Sequence, residues 1–114
     1  MAVSNGAVTV NNVVSPESIQ ILADNVMVQI GDLFTAKAIH PNAVQQQMLA
    51  SHVQAMARRS LTGESLPDVD AELFEEISTD SMQLAAEVVA LFGNLPVEES
   101  WLLSVHFEVA RENK

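Results

Sequence analysis

Cysteine is absent from this sequence of 114 residues, and basic residues are few: five Lys and Arg stand against fifteen Asp and Glu, for a formal net charge of −10. The absence of cysteine excludes disulfides, thiolate metal sites and cysteine nucleophiles. The negative charge repels nucleic acid phosphates, so we expect no direct binding of DNA or RNA. No run of about 18 apolar residues occurs and the N-terminal residues lack a secretory signal, so we expect a cytoplasmic protein without membrane contact.

Motifs of catalysis and of cofactor binding are also missing. The chain has only four glycines, and neither glycine-rich phosphate loop nor a Gly-x-Ser-x-Gly motif occurs. No two histidines are three or four residues apart, so no helix presents a metal-binding pair. The adjacent acids Glu75-Glu76 and Glu98-Glu99 diverge across a helix and are interpreted as solvated surface. We therefore expect no enzymatic activity, no cofactor and no metal.

The remaining composition, with 48% hydrophobic and 18% charged residues, is typical of one globular domain. Residues 1–14 are rich in valine and asparagine and predict a short extended N-terminal arm. Residues 15–114 show helical spacing of apolar residues and predict an all-α domain of five helices. The predicted helices run from Ser15-Pro16 to His40, from Pro41 to Thr62-Gly63, for two turns around Leu73, Phe74 and Ile77, from Ser78 to Gly93-Asn94, and from Leu95-Pro96 onward.

Two histidines lie on or beside apolar helix faces. His52 is four residues after Met48 in the second predicted helix, and His106 is four residues after Leu102 in the fifth. One interpretation is that both are hydrogen-bonded residues at the edge of the core. The other is that both line one cleft, where a neutral imidazole near pH 7 is a nucleophile that can be modified. Spacing alone favours the first interpretation and leaves the second open.

The sequence around each histidine resembles a motif of the PTS-regulation domain (PRD) family. In the fifth helix, the segment Leu95–Phe107 has an acidic pair, an apolar run, a small residue and the signature histidine at His106. In the second helix, the segment Leu49–Arg59 has the other histidine at His52 and an arginine two turns later. The two motifs occur in the family's order, 54 residues apart, and the resemblance covers about residues 16–112.

The resemblance implies a stand-alone PRD-like regulatory domain linked to the sugar phosphotransferase system and to the control of transcription and carbohydrate metabolism. In such proteins, phosphorylated carrier proteins transfer a phosphoryl group to a PRD histidine, which changes dimer association. His52 and His106 are then the candidate phosphoacceptors, and Arg59 and Arg58 the cations that support them. The apolar faces of the first helix and of residues 1–14 exceed the needs of the core, which also predicts a homodimer.

Two alternatives to this function stay open. The chain could be a helical adaptor or dimerisation module that keeps the PRD scaffold but is not phosphorylated. It could instead be an enzyme or metal protein that uses His52, His106 and nearby carboxylates, which requires the two rings to lie within a few ångströms of each other.

Overall fold

The computed structural model describes residues 15–113, which form four α-helices and one short 3-10 helix. No strand occurs within these residues, so the prediction of an all-α domain is confirmed for this part of the chain. The predicted arm of residues 1–14 lies outside the described residues. None of the helices described is long and apolar enough to cross a lipid bilayer. The elements are α1 (Pro16–Lys37), α2 (Ala43–Thr62), the 3-10 helix (Ala71–Phe74), α3 (Thr79–Ala90) and α4 (Glu98–Arg111).

The predicted count of five helices is not confirmed, because the segment predicted as the third helix is a 3-10 helix of four residues. Leu73 is 74% exposed, and the Phe74 ring lies against Trp101 with ring centroids 6.2 Å apart and the planes tilted by 39°. An α-helix this short is unstable in water unless packing supports it. The segment buries too little apolar surface to extend beyond the single turn that Asp70 caps.

The helix ends follow from local capping. The Ser15 side chain accepts a hydrogen bond from the backbone N–H of Ser18, as the sequence predicts for the start of α1. Asn42 and Gln45 form a capping box at the start of α2, so Pro41 precedes this helix instead of lying in its first turn. Gly63 ends α2 with φ of 80°, a left-handed conformation that glycine adopts without strain.

Two helix pairs form the domain. α1 lies against α2, α3 lies against α4, and contacts between α2 and α4 join the pairs. The rings of Phe34 and Phe107 meet edge to face at 5.3 Å between α1 and α4. The buried apolar residues form one core, made of Ala23, Val26, Ile30, Phe34, Ile39, Leu49, Val53, Met56, Ala57, Leu84, Ala85, Val88, Val89, Leu103, Phe107 and Ala110.

Candidate functional site at the contact between α2 and α4

Three polar pairs lie along the contact between α2 and α4. Their members recur every seven residues along each of the two segments, which is about two helical turns or 10.5 Å, and Asn113 lies just beyond the end of α4. The pairing order shows that the two helices run antiparallel. The pairs are Gln45 with Asn113, His52 with His106, and Arg59 with Glu99.

The central pair brings the two candidate histidines together. Their ring centroids are 4.9 Å apart and the ring planes are tilted by 35°. Both rings are half-buried at the floor of an open groove of about 550 Å³, which Gln47, Met48 and Ser51 also line. The two histidines therefore share one cleft, as the second interpretation of the sequence requires.

Burial keeps both imidazoles neutral near pH 7. Burial, together with the smaller effects of charge on His106 and Arg59, lowers the pKa of His52 to about 4. Burial also lowers the pKa of His106. Among the described residues, Nε2 of His52 is the one buried side-chain nitrogen or oxygen without a hydrogen-bond partner. Each ring thus retains a nitrogen lone pair at neutral pH.

The Arg59–Glu99 pair is a bidentate ion pair two turns from the histidines. Arg59 Nε donates to Glu99 Oε2 at 2.6 Å, and Nη2 donates to Oε1 at 2.8 Å. The side chain of Glu99 is 1% exposed and that of Arg59 is 16% exposed. Hydrogen bonding to Glu99 raises the pKa of Arg59. Arg59 is therefore already neutralised by a carboxylate.

The prediction that Glu98-Glu99 is solvated surface is wrong for Glu99, which is fully buried. The signal that places it inside was present in the sequence. Glu99 lies four residues before Leu103 and eight before Phe107, so it shares their core-facing row. The interpretation of adjacent acids as a diverging pair overlooked this row.

Arg58 lies apart from the histidine pair. Its side chain is exposed and lines a second groove, between α1 and α2, together with Pro16, Ile19 and Gln54. The structure thus brings together His52 and His106, places Arg59 two turns away in an ion pair, and directs Arg58 to a different groove.

A polar cluster that the sequence did not indicate ties α4 to the start of α3. Glu108 accepts hydrogen bonds from the hydroxyls of Ser78 and Ser81, both at 2.7 Å. These bonds lower the pKa of Glu108. Arg111 Nη1 donates to Ser78 Oγ at 2.8 Å. Ser78 was recognisable as a helix cap, but its partners come from a distant helix and leave no local signal.

Metal-ligating side chains are sparse. Within residues 15–113, no group of three or more His, Asp or Glu side chains is arranged to hold a metal ion. No carboxylate of the described segment lies close enough to the histidine pair to complete such a group. The described residues therefore show no preformed metal centre of the kind that structural zinc sites have.

No protein-family model matches the chain, and neither does any curated protein. The chain is similar to the crystal structure of a PRD-containing transcription regulator from Lactobacillus casei ATCC 334. The two superpose with a TM-score of 0.76 and share 40% sequence identity, over 79% of this chain and 76% of that one. This identity, over most of both chains, agrees with the motifs around His52 and His106. The chain therefore belongs to the family of PRD-containing regulators and forms a PRD-like regulatory domain.

Proposed function

We propose that this domain is a phosphorylation-dependent regulator linked to the sugar phosphotransferase system. In this proposal, His52 and His106 accept phosphoryl groups from phosphocarrier proteins, and the domain acts through protein–protein interaction without enzymatic activity of its own. The observation that supports it most is the pair of half-buried imidazole rings, 4.9 Å apart, on the floor of an open groove.

The chemistry of the transfer suits neutral imidazoles. The lone pair of the accepting nitrogen attacks the phosphorus of the carrier's phosphohistidine, and the bond between phosphorus and the carrier's nitrogen breaks. The accepting ring loses the proton from its other nitrogen, and the carrier's ring takes up a proton, so the number of protons is unchanged. The lowered pKa values of His52 and His106 keep the attacking lone pair free at pH 7.

The two histidines differ in how open their nitrogens are. Nε2 of His52 is enclosed, so transfer to that atom requires the groove to widen. No nitrogen of His106 is both buried and without a partner among the described residues. We therefore propose that His106 receives the phosphoryl group first.

The Arg59–Glu99 pair supplies the structural consequence. A phosphohistidine adds nearly two negative charges, and the positive charge of Arg59 already acts on His52. A phosphoryl group that attracts Arg59 does so at the expense of Glu99, which is buried. Leaving such a charge without its partner costs about 3–5 kcal/mol. Phosphorylation is therefore expected to weaken the contact between α2 and α4.

A dimer interface beside the groove would sense this change. Met48 lines the groove and is 57% exposed, and Val44, one turn before it on α2, is 64% exposed. Val109, one turn after His106 on α4, is 39% exposed. Exposed aliphatic side chains on adjoining helices are typical of interfaces. We propose that a homodimer forms over this surface and that phosphorylation alters its stability.

Phosphoenolpyruvate and the general phosphocarrier proteins provide the test. We expect acid-labile phosphate on the wild-type chain, reduced labelling in His52→Gln and His106→Gln, and none in the double variant. His40→Gln is the matched control, because His40 is exposed and lies outside the groove. Absence of label on the folded wild-type chain, or full labelling of the double variant, would contradict the proposal.

The alternative of a non-phosphorylated adaptor is favoured by one observation, the enclosed Nε2 of His52. A packing role for this ring would explain its burial without any modification. Sedimentation separates the two functions: an adaptor dimerises to the same extent with and without the phosphocarrier proteins, whereas a switch does not.

A further inference from the structure

The histidine pair differs from the two polar pairs beside it. Gln45 and Asn113 are joined by a hydrogen bond, and so are Arg59 and Glu99. His52 and His106 face each other without one among the described residues, and Nε2 of His52 is left buried and unpartnered. Buried polar atoms usually have a partner, and an exception calls for a ligand, an ion or a water. The central pair therefore presents a buried nitrogen that no described side chain or backbone group binds.

The spacing of the rings fits a bridging ion. Zn²⁺ lies about 2.0–2.1 Å from an imidazole nitrogen, and the ring centre lies about 1.1 Å further, so a tetrahedral ion holds two ring centres roughly 5 Å apart. The observed centroid separation of 4.9 Å is compatible with this arrangement once a nitrogen of each ring turns toward the ion. A helix pair bridged in this way needs no second histidine on the same helix, which is why the spacing within each helix did not indicate the site.

We propose that His52 and His106 together bind one divalent transition-metal ion, such as Zn²⁺ or Cu²⁺, which bridges α2 and α4. Imidazole nitrogens suit these ions, whereas Mg²⁺ prefers oxygen ligands. With two protein ligands the site is open, and water molecules, or the side-chain oxygens of Gln47 and Ser51 in the groove, complete the coordination.

A metal ion needs a free lone pair on each ring, and a neutral imidazole has one on its unprotonated nitrogen. The site does not depend on the proposed phosphorylation, although an ion and a phosphoryl group would compete for the same nitrogens.

Isothermal titration calorimetry of the untagged, unphosphorylated chain tests the site, with Zn²⁺, Cu²⁺ and Mg²⁺ chlorides as separate titrants in a non-coordinating buffer. We expect one Zn²⁺ or Cu²⁺ per chain, tighter binding of Cu²⁺ than of Zn²⁺, and no binding of Mg²⁺. Affinity should fall by more than about tenfold in His52→Gln or His106→Gln and stay within about twofold in the control His40→Gln. No saturable binding of either transition metal, or equal affinity in all three variants, would overturn the proposal.

A measurement on a chain that keeps both ligands covers the case in which a ligand variant fails to fold. In His40→Gln, substoichiometric Cu²⁺ should broaden the ring signals of both remaining histidines in the NMR spectrum at pH 7. Unaffected ring signals would refute the site even if phosphorylation is confirmed. Equally, metal binding without phosphate labelling would leave the site standing and remove the proposed function.

Discussion

Removing Arg59 should destabilise the domain more than removing Glu99, although the two residues are halves of one ion pair. Arg59→Met leaves the carboxylate of Glu99, which is 1% exposed, without a cation and far from water. This state costs about 3–5 kcal/mol. Glu99→Leu leaves a guanidinium that is already 16% exposed and has a long stem by which to reach solvent, so we expect about 1–3 kcal/mol.

The double variant Arg59→Met, Glu99→Leu sharpens this prediction. Replacing both partners by apolar residues of similar volume removes the desolvation cost of two charges together with their attraction. We expect its stability to lie within about 1 kcal/mol of the wild type, well above that of Arg59→Met alone. The three values then form a double-mutant cycle with a large coupling energy.

Urea unfolding followed by circular dichroism provides the measurement, at one pH and one salt concentration. Arg58→Met is the matched control, because the neighbouring arginine is exposed and lies in a different groove. It should change the free energy of unfolding by no more than about 0.5 kcal/mol. Equal losses in the two single variants, or a double variant that loses their sum, would refute the assignment of Glu99 as the enclosed partner.

Three further predictions concern acid, a glycine and a helix cap. Between pH 7 and pH 5 the unfolded chain binds a proton at His52 that the folded chain does not, because the folded pKa is about 4; stability should fall by up to about 2 kcal/mol in urea titrations, and less in His52→Gln. Gly31→Ala should stabilise by about 0.5–1 kcal/mol and raise the thermal midpoint, since Gly31 is inside α1 and an added Cβ meets nothing within 4 Å. Asn42→Ala should cost about 1 kcal/mol, measured by urea unfolding, because the capping box with Gln45 is lost.

The fold was predictable where signals are local. Ser15, Gly63 and Ser78 mark helix ends by their own side chains or backbone freedom, and each does so in the structure. The segment around Leu73 was wrongly predicted as a helix, because three apolar residues within five positions resemble a helical face whether or not another element covers them. Coverage depends on tertiary packing, and Leu73 stays 74% exposed.

The sequence predicts which residues form the candidate site, but it does not predict how they are arranged in space. Spacing along each helix, together with the two motifs, identified His52 and His106. That the two rings face each other depends on the register of α2 against α4, which no window of sequence contains. The same limitation applies to the partner of Arg59, because the contact between Arg59 and Glu99 also depends on the register of the two helices.

The seven-residue spacing of the polar pairs explains how the histidines are held face to face. Two antiparallel helices in close contact meet along rows that recur about every two turns. Sliding α4 by one turn would separate Glu99 from Arg59 and leave a buried carboxylate unpaired, at a cost of several kcal/mol. The same shift would break the bond between Gln45 and Asn113. The two flanking pairs therefore set the register of α2 against α4. A phosphoryl group or an ion that fits this register leaves the flanking pairs intact, and one that does not fit must break them.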